Sequence, residues 1–278
     1  YSAPVATGVA RGGATGGLVI QRVQRMVRWA AMVVGVVVGL AASAREARAQ
    51  AWEKGWLDVN FGVAIAAESE FTSARSFVIA QEIGAVAVAY GLPRGGSFDV
   101  GGGYLFTPRV GVGISVAGTA HQDVAGLGIS VPHPLYFNAS DDDVDVTAEA
   151  LTRAEGAWHL HPVLVAVQTP RLRVRLFGGP SYFRAEQEVV TQIRYDQVFQ
   201  LFNRGNVVNI TRYDSEKEVG TGWGFHAGGD LSVFFNRVVG VGTVLRISRG
   251  QVTIADYGGD EDRKVGGTQI GFGLRLRF

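Results

Sequence analysis

Residues 219–235 read Val219-Gly220-Thr221-Gly222-Trp223-Gly224-Phe225-His226-Ala227-Gly228-Gly229-Asp230-Leu231-Ser232-Val233-Phe234-Phe235. Val219, Trp223, Phe225, Leu231, Val233 and Phe235 alternate with Gly220, Gly222, Gly224, His226, Gly228, Asp230 and Ser232. A period of two puts each set on its own face of a β-strand. The face opposite the large apolar residues is the informative one. A strand facing water seldom carries a row of glycines, because glycine weakens the strand and packs nothing.

The same alternation recurs along the chain, and no segment keeps a 3.6-residue stripe. Leu57, Val59, Phe61, Val63 and Ile65 oppose Asp58, Asn60, Gly62 and Ala64; Phe98, Val100, Tyr104 and Phe106 oppose Asp99, Gly101, Gly103 and Leu105. Val110, Val112, Ile114 and Val116 oppose Gly111, Gly113 and Ser115, and Trp158 and Leu160 oppose Glu149, Arg153, Glu155, His159 and His161. Leu172, Val174 and Leu176 oppose Arg173 and Arg175, with a phase change expected at Gly178-Gly179-Pro180; Val239, Val241, Leu245 and Ile247 oppose Gly240, Gly242, Arg246 and Ser248. The chain is therefore all-β. A barrel in lipid accounts for both faces, with apolar side chains outward and small or charged ones filling a narrow interior. Short turns at Thr107-Pro108-Arg109, Gln168-Thr169-Pro170-Arg171 and Asn236-Arg237 alternate with long polar connections at 68–96, 121–146, 188–217 and 251–266. That pattern predicts an eight-stranded antiparallel transmembrane β-barrel, its short turns periplasmic. Ten strands, or a hairpin above the membrane, is the alternative, because 68–96 holds Phe77, Ile79, Val86, Val88 and Tyr90.

The 278 residues are 47% hydrophobic with 39 glycines and no cysteine, which excludes disulfide frameworks, thiolate metal sites and thiol nucleophiles. An apolar run from Trp29 to Ala44 follows Arg22, Arg25 and Arg28 and ends in Ala47-Arg48-Ala49 and Ala49-Gln50-Ala51. It is too short to span a bilayer and has the three regions of a secretory signal peptide. The expected organisation is an N-terminal extension at 1–25, a signal peptide at 26–50 and the barrel at 51–278. Residues 51–278 carry 20 basic and 24 acidic side chains, so the formal +1 of the whole chain becomes −4 and gives no signal for nucleic acid.

The last segment, Gly267-Thr268-Gln269-Ile270-Gly271-Phe272-Gly273-Leu274-Arg275-Leu276-Arg277-Phe278, resembles the C-terminal strand of bacterial outer-membrane β-barrels, whose alternating apolar residues end in a terminal aromatic. Val131-Pro132-His133-Pro134-Leu135-Tyr136-Phe137 and Phe177-Gly178-Gly179-Pro180-Ser181-Tyr182-Phe183 are similar to segments of small barrels of the OmpA/OmpW-like type. The resemblance implies residence in the outer-membrane lipid and insertion by the barrel-assembly machinery, with Phe278 as the assembly signal. It carries no catalytic motif.

The candidate site is the charged lumen: Glu149, Arg153, Glu155, His159 and His161 on one strand, facing Arg173, Arg175, His226, Asp230 and Arg246 of others. Buried charges must pair, so this set is expected to plug and stiffen the barrel, or to gate it. His159 and His161, with Glu155 four before, have a spacing that a zinc ion accepts with a third ligand from a neighbouring strand, yet two histidines held by carboxylates are as well satisfied without one. Asp141-Asp142-Asp143 with Asp145, and Asp256, Asp260, Glu261 and Asp262, lack the spaced ligands of a calcium loop. His121, Asp123 and His133 come with no nucleophile elbow. Trp52, Trp56, Tyr104, Phe106, Trp158, Tyr182, Trp223, Phe234, Phe235 and Phe278 are expected to form interfacial girdles. No catalytic residue, metal or cofactor is expected. The function read from the sequence is a non-enzymatic outer-membrane protein that meets an extracellular partner through its loops, with a narrow channel or transporter for small solutes or small apolar molecules as the alternative.

Overall fold

The computed structural model describes residues 53–278 apart from 69, 80, 92–93, 133–139, 198–207 and 257–258. The expected leader, the extension before it, Trp52 and His133 lie outside the described residues. Ten antiparallel strands follow in order: β1 (Gly55–Ala66), β2 (Glu70–Ile79), β3 (Glu82–Gly91), β4 (Arg94–Leu105), β5 (Val110–Pro132), β6 (Ser140–Gln168), β7 (Leu172–Gln197), β8 (Val208–Phe234), β9 (Val239–Asp256) and β10 (Gly259–Arg277).

Eight of them close a ring. β4 pairs with β5, each strand through β10 pairs with the next, and β10 and β4 flank β1. The C-terminal residue fastens the closure: Phe278 N–H donates to Gly55 O at 2.9 Å, and Gly55 N–H donates to Phe278 O at 2.7 Å. β2 and β3 add no staves. β1–β4 pairing ends at Ile65↔Arg94, β2–β3 pairing resumes at Glu70↔Gly91, and β3 lies on the upper part of β5 from Gly91↔Val124 to Ala85↔Ser130. They are the upper ends of the first two staves, so the hairpin above the ring is the outcome at 68–96.

The described parts of the other long connections are also strand. β5 to β8 run 23 to 29 residues, where about 10 suffice to cross a bilayer. The expectation of loops at 121–146, 188–217 and 251–266 is corrected for the described residues: 121–132, 140–146, 188–197 and 208–217 continue the barrel wall upward as strand, and 251–256 and 259–266 form a strand hairpin. Their outward faces carry charges, as Arg184, Glu186 and Glu188 do on β7, and such segments read as solvated loop.

The expected phase change at Gly178–Pro180 does not occur either. β7 keeps one register with β8 from Leu172↔Val233 to Val190↔Ser215, and Arg173, Arg175, Ser181 and Phe183 are all buried inside. What changes there is hydrogen bonding to β6. Pairing lapses between His159↔Ser181 and Val163↔Phe177, where Pro162 and Pro180 lack N–H groups, and it resumes without a shift.

The outer wall carries a band of exposed apolar side chains, including Phe61, Val63, Ile114, Leu160, Phe225, Leu231, Ile247, Ile270 and Phe272. Trp158, Tyr182 and Trp223 bound it above; Tyr104, Phe106, Phe235 and Phe278 bound it below. Trp223 to Phe235 is about 40 Å of strand, or roughly 30 Å of height at a barrel tilt of about 40°, the thickness of a hydrocarbon core. Two expected girdle members belong elsewhere. Trp56 and Phe234 are only 5% and 4% exposed and lie inside the barrel, because both share parity with the lumen residues Asp58 and Asp230.

Candidate functional site: the filled lumen

The lumen is built in tiers. At the end with the short turns, Trp56, Leu105, Val163 and Val165 form a small apolar layer with Phe177 against it. The room comes from glycine: a Cβ at Gly103 would overlap the Trp56 indole, and one at Gly113 would lie 2.7 Å from His161 Nε2. Beside this layer the Arg277 guanidinium stacks on Phe234 at 3.9 Å and donates to the carbonyls of Arg237 and Pro170, each at 2.8 Å.

The next tier is ionic. Arg175 Nη2 bridges Asp58 Oδ2 at 2.6 Å and Asp230 Oδ1 at 2.7 Å. Asp230 also receives Arg275, Nη2 at 2.6 Å and Nε at 2.8 Å, and is bonded by Ser232. Arg275 Nη1 donates to Asn60 Oδ1 at 2.6 Å, and Asn60 Nδ2 donates to Asp99 Oδ1 at 3.0 Å. Asp99 Oδ2 takes Arg246 Nη1 at 2.7 Å, and Arg246 Nη2 reaches Ser115 at 2.9 Å. Seven strands are thereby cross-tied. Forked guanidiniums suit this, since each offers several donors in one plane. Between Asp58, Asp99, Arg175, Asp230 and Arg246 remains a cavity of about 30 Å³, space for a water or two.

Above lies a histidine tier. His159 Nδ1 and His226 Nδ1 each contact Ser181 Oγ, at 2.8 and 2.9 Å, and His226 Nε2 lies 3.1 Å from His161 Nδ1. Phe177 and Phe183 enclose the rings. These nitrogens are spent on one another and on Ser181, while Glu155 points to Arg153 at 2.7 Å. The three residues of the zinc-like spacing therefore do not converge, and among the described residues no cluster of three ligand-type side chains is placed to hold a metal.

The top tier is a hairpin folded inward. β8–β9 pairing ends at Gly224↔Gly250, and β1–β10 pairing ends at Ala66↔Gly267. Beyond these points the upper parts of β9 and β10 pair only with each other among the described strands. Gly266 and Gly267, with φ of 91° and 130°, supply the bend, in a conformation that side chains resist. Val252, Ile254 and Val265 then pack against Ala157, Phe183 and Ala185 of β6 and β7. The orphaned edge of β10 is satisfied by side chains from the opposite wall: Arg153 Nη2 donates to Lys264 O at 2.9 Å, and Glu155 Oε2 accepts from Gly266 N–H at 2.9 Å. Glu68 Oε2 accepts from Lys264 N–H at 3.3 Å.

A charged, side-chain-filled interior inside an apolar outer band is the arrangement lipid imposes, and an even-numbered ring with one set of short turns is its outer-membrane form. The chain has the fold of an outer-membrane β-barrel. Among solved structures it is similar to the outer membrane protein OprG from Pseudomonas aeruginosa, at 10% identity and a TM-score of 0.47 over 83% of this chain and 99% of that one. It is also similar to the attachment invasion locus protein Ail of Yersinia pestis (13% identity, TM-score 0.33, 80% of this chain and 99% of that one). A third likeness is to the outer membrane protease OmpT from Escherichia coli (9% identity, TM-score 0.35, 84% of this chain and 99% of that one). No family model matches the chain, and no curated protein matches it.

Of the ten lumen residues singled out in the sequence, Arg153, Glu155, His159, His161, Arg173, Arg175, His226, Asp230 and Arg246 are buried inside the ring, and the Glu149 side chain lies outside the described ones. They form no single cluster: Arg153 and Glu155 serve the hairpin, the histidines their own tier, and Arg173 the turn end beside Glu53 at 3.7 Å. Asp58, Asn60, Asp99, Ser181, Arg275 and Arg277 were missed as members, although parity puts each on the inner face. His121 is buried in the wall beside Arg153, not at an open rim; the Asp123 side chain lies outside the described ones. Asp141 to Asp143 pair in register with β5 as strand, their side chains likewise outside.

Proposed function

We propose that this barrel is a non-enzymatic outer-membrane protein with a structural or surface-interaction role, its lumen a sealed strut and its outside contacts made by the wall standing above the membrane. The observation that carries the reading is the stack of separately tied tiers that fills the lumen, from Arg277 at one mouth to the Arg153–Glu155 clasp on the inward hairpin at the other. Ser181 lies between two histidines but is enclosed by aromatic rings, which leaves no approach for a substrate. Insertion through the C-terminal strand ending in Phe278, by the barrel-assembly machinery, belongs to the same reading. An extracellular partner would meet the charged outer face of β7 and β8, where Arg184, Arg194 and Arg212 are exposed.

Planar-bilayer recording on the purified protein tests it. The expected trace is flat, and reproducible conductance steps in the wild type overturn the sealed lumen. The second reading, passage of small solutes or small apolar molecules, draws on the hairpin, which closes the mouth without being hydrogen-bonded strand to strand into the wall. On that reading Arg153→Gln or Glu155→Gln changes existing steps. Lipid or peptide turnover lost on His121→Ala would overturn the non-enzymatic assignment.

A further inference from the structure

The three short turns are built alike. Thr107 Oγ1 accepts from Val110 N–H at 3.0 Å, Thr169 Oγ1 accepts from Leu172 N–H at 2.9 Å, and Asn236 Oδ1 accepts from Val239 N–H at 2.7 Å. Each turn presents an exposed arginine: Arg109, Arg171 and Arg237. None contains an acidic residue. The acidic side chain of Glu53 at this mouth faces inward toward Arg173 at 3.7 Å and Arg277 at 3.8 Å.

Two of the turns are held side by side. The buried Arg277 guanidinium donates to Pro170 O and Arg237 O, each at 2.8 Å, and Phe234 N–H donates to Arg171 O at 2.8 Å. Arg171 and Arg237 are thus fixed as neighbours in spite of their like charge. The arginines follow directly on the lower edge of the apolar band, where Phe106, Val167 and Phe235 are exposed. The opposite end of the barrel mixes signs, with Arg184 against Glu186 and Arg212 against Asp214.

We propose that this rim is a binding collar for anionic phospholipid headgroups of the periplasmic leaflet. A guanidinium matches a phosphodiester with two parallel N–H···O bonds, and the adjacent aromatic residues set it at headgroup depth. The proposal rests on the reading that the short turns face the periplasm. It does not depend on whether the lumen conducts.

The test reconstitutes the full chain in nanodiscs of one part phosphatidylglycerol to four parts phosphatidylcholine and counts retained lipids by native mass spectrometry, with folding checked by heat-modifiable gel migration. The expected result is a preference for phosphatidylglycerol of about fivefold or more, weakening as salt is added. Arg109→Gln, Arg171→Gln and Arg237→Gln together abolish it; lysine at the same three positions retains part of it. Equal retention of both lipids by the wild type, or an undiminished preference in the triple glutamine variant, overturns the collar. Binding to purified peptidoglycan that the triple variant loses, with its lipid preference unchanged, also overturns it, in favour of cell-wall carboxylates. Conductance by the wild type would sink the sealed lumen and leave this result standing.

Discussion

The lower and upper halves of the same staves follow opposite rules. On β9, Val241, Leu245 and Ile247 point out into the apolar band while Arg246 and Ser248 point in; a few residues higher, Gln251 and Thr253 are exposed and Val252 and Ile254 are buried. Parity does not change along the strand, and only the chemistry of each face inverts. On β7 the buried run passes from Arg173 and Arg175 to Phe183, Ala185 and Val189 in the same way. The period of two decides which side chains share a face, whereas the medium decides which face is apolar. Lipid outside drives charge inward, and water outside restores an oily core, here Val86, Val88, Tyr90, Leu127, Ile129, Val131, Leu151 and Val190.

The largest expected effect comes from breaking the inner ionic layer of the lower half. Asp230→Ala removes the acceptor shared by Arg175 and Arg275, both buried, and should cost about 3–5 kcal/mol, read as a lower urea midpoint for the folded band in a detergent or vesicle assay. Asp214→Ala on the exposed upper wall should cost at most about 1 kcal/mol. Equal costs would mean that the lumen network carries no weight. Next comes the outer face of the lower half. Leu231→Arg puts a charge into the band and should cost about 2–4 kcal/mol in the same assay.

An intermediate effect belongs to the upper core. Ile254→Ala should cost roughly 2 kcal/mol, the low end for an apolar truncation because the hairpin can settle. Amide exchange should rise across the upper β9–β10 segment and stay unchanged in the lower parts of β9 and β10. Uniform acceleration over the whole barrel would show that the two halves unfold as one.

Much of this was legible in the sequence, because parity and turn composition are local. The alternation in 219–235 assigns His226, Asp230 and Ser232 to the lumen, and two threonine-proline-arginine turns with Asn236-Arg237 mark three of the connections. Partner choice was not legible. Arg275 bonds Asn60 across 215 positions and Arg246 bonds Asp99 across 147, and the stagger of the closed ring decides such pairs. Trp56 and Phe234 were misplaced by judging aromatics from their nearness to strand ends when their parity pointed inward. The upper wall was read as loop because its outward charges resemble a solvated connection. The inward hairpin had one local signal, the Gly266-Gly267 pair, whose positive φ angles are needed only if the strand bends there.

The smallest expected effect is the sharpest control on the comparison. Thr253 is exposed on β9, with the outward parity of Val241, Leu245 and Ile247, but it lies above the aromatic edge marked by Trp223 and bonds Asp262 Oδ1 at 2.8 Å. Thr253→Arg adds the same charge as Leu231→Arg, at a position of outward parity on the hairpin above the same barrel. Its guanidinium stays hydrated and has Asp262 beside it, so the change in stability should fall within about 0.5 kcal/mol of zero. The contrast with Leu231→Arg therefore measures chiefly the medium, hydrocarbon against water. If Thr253→Arg were as costly as Leu231→Arg, lipid would reach the upper wall and the inversion along the staves would need another cause. If both were neutral, the apolar band would not be in lipid at all.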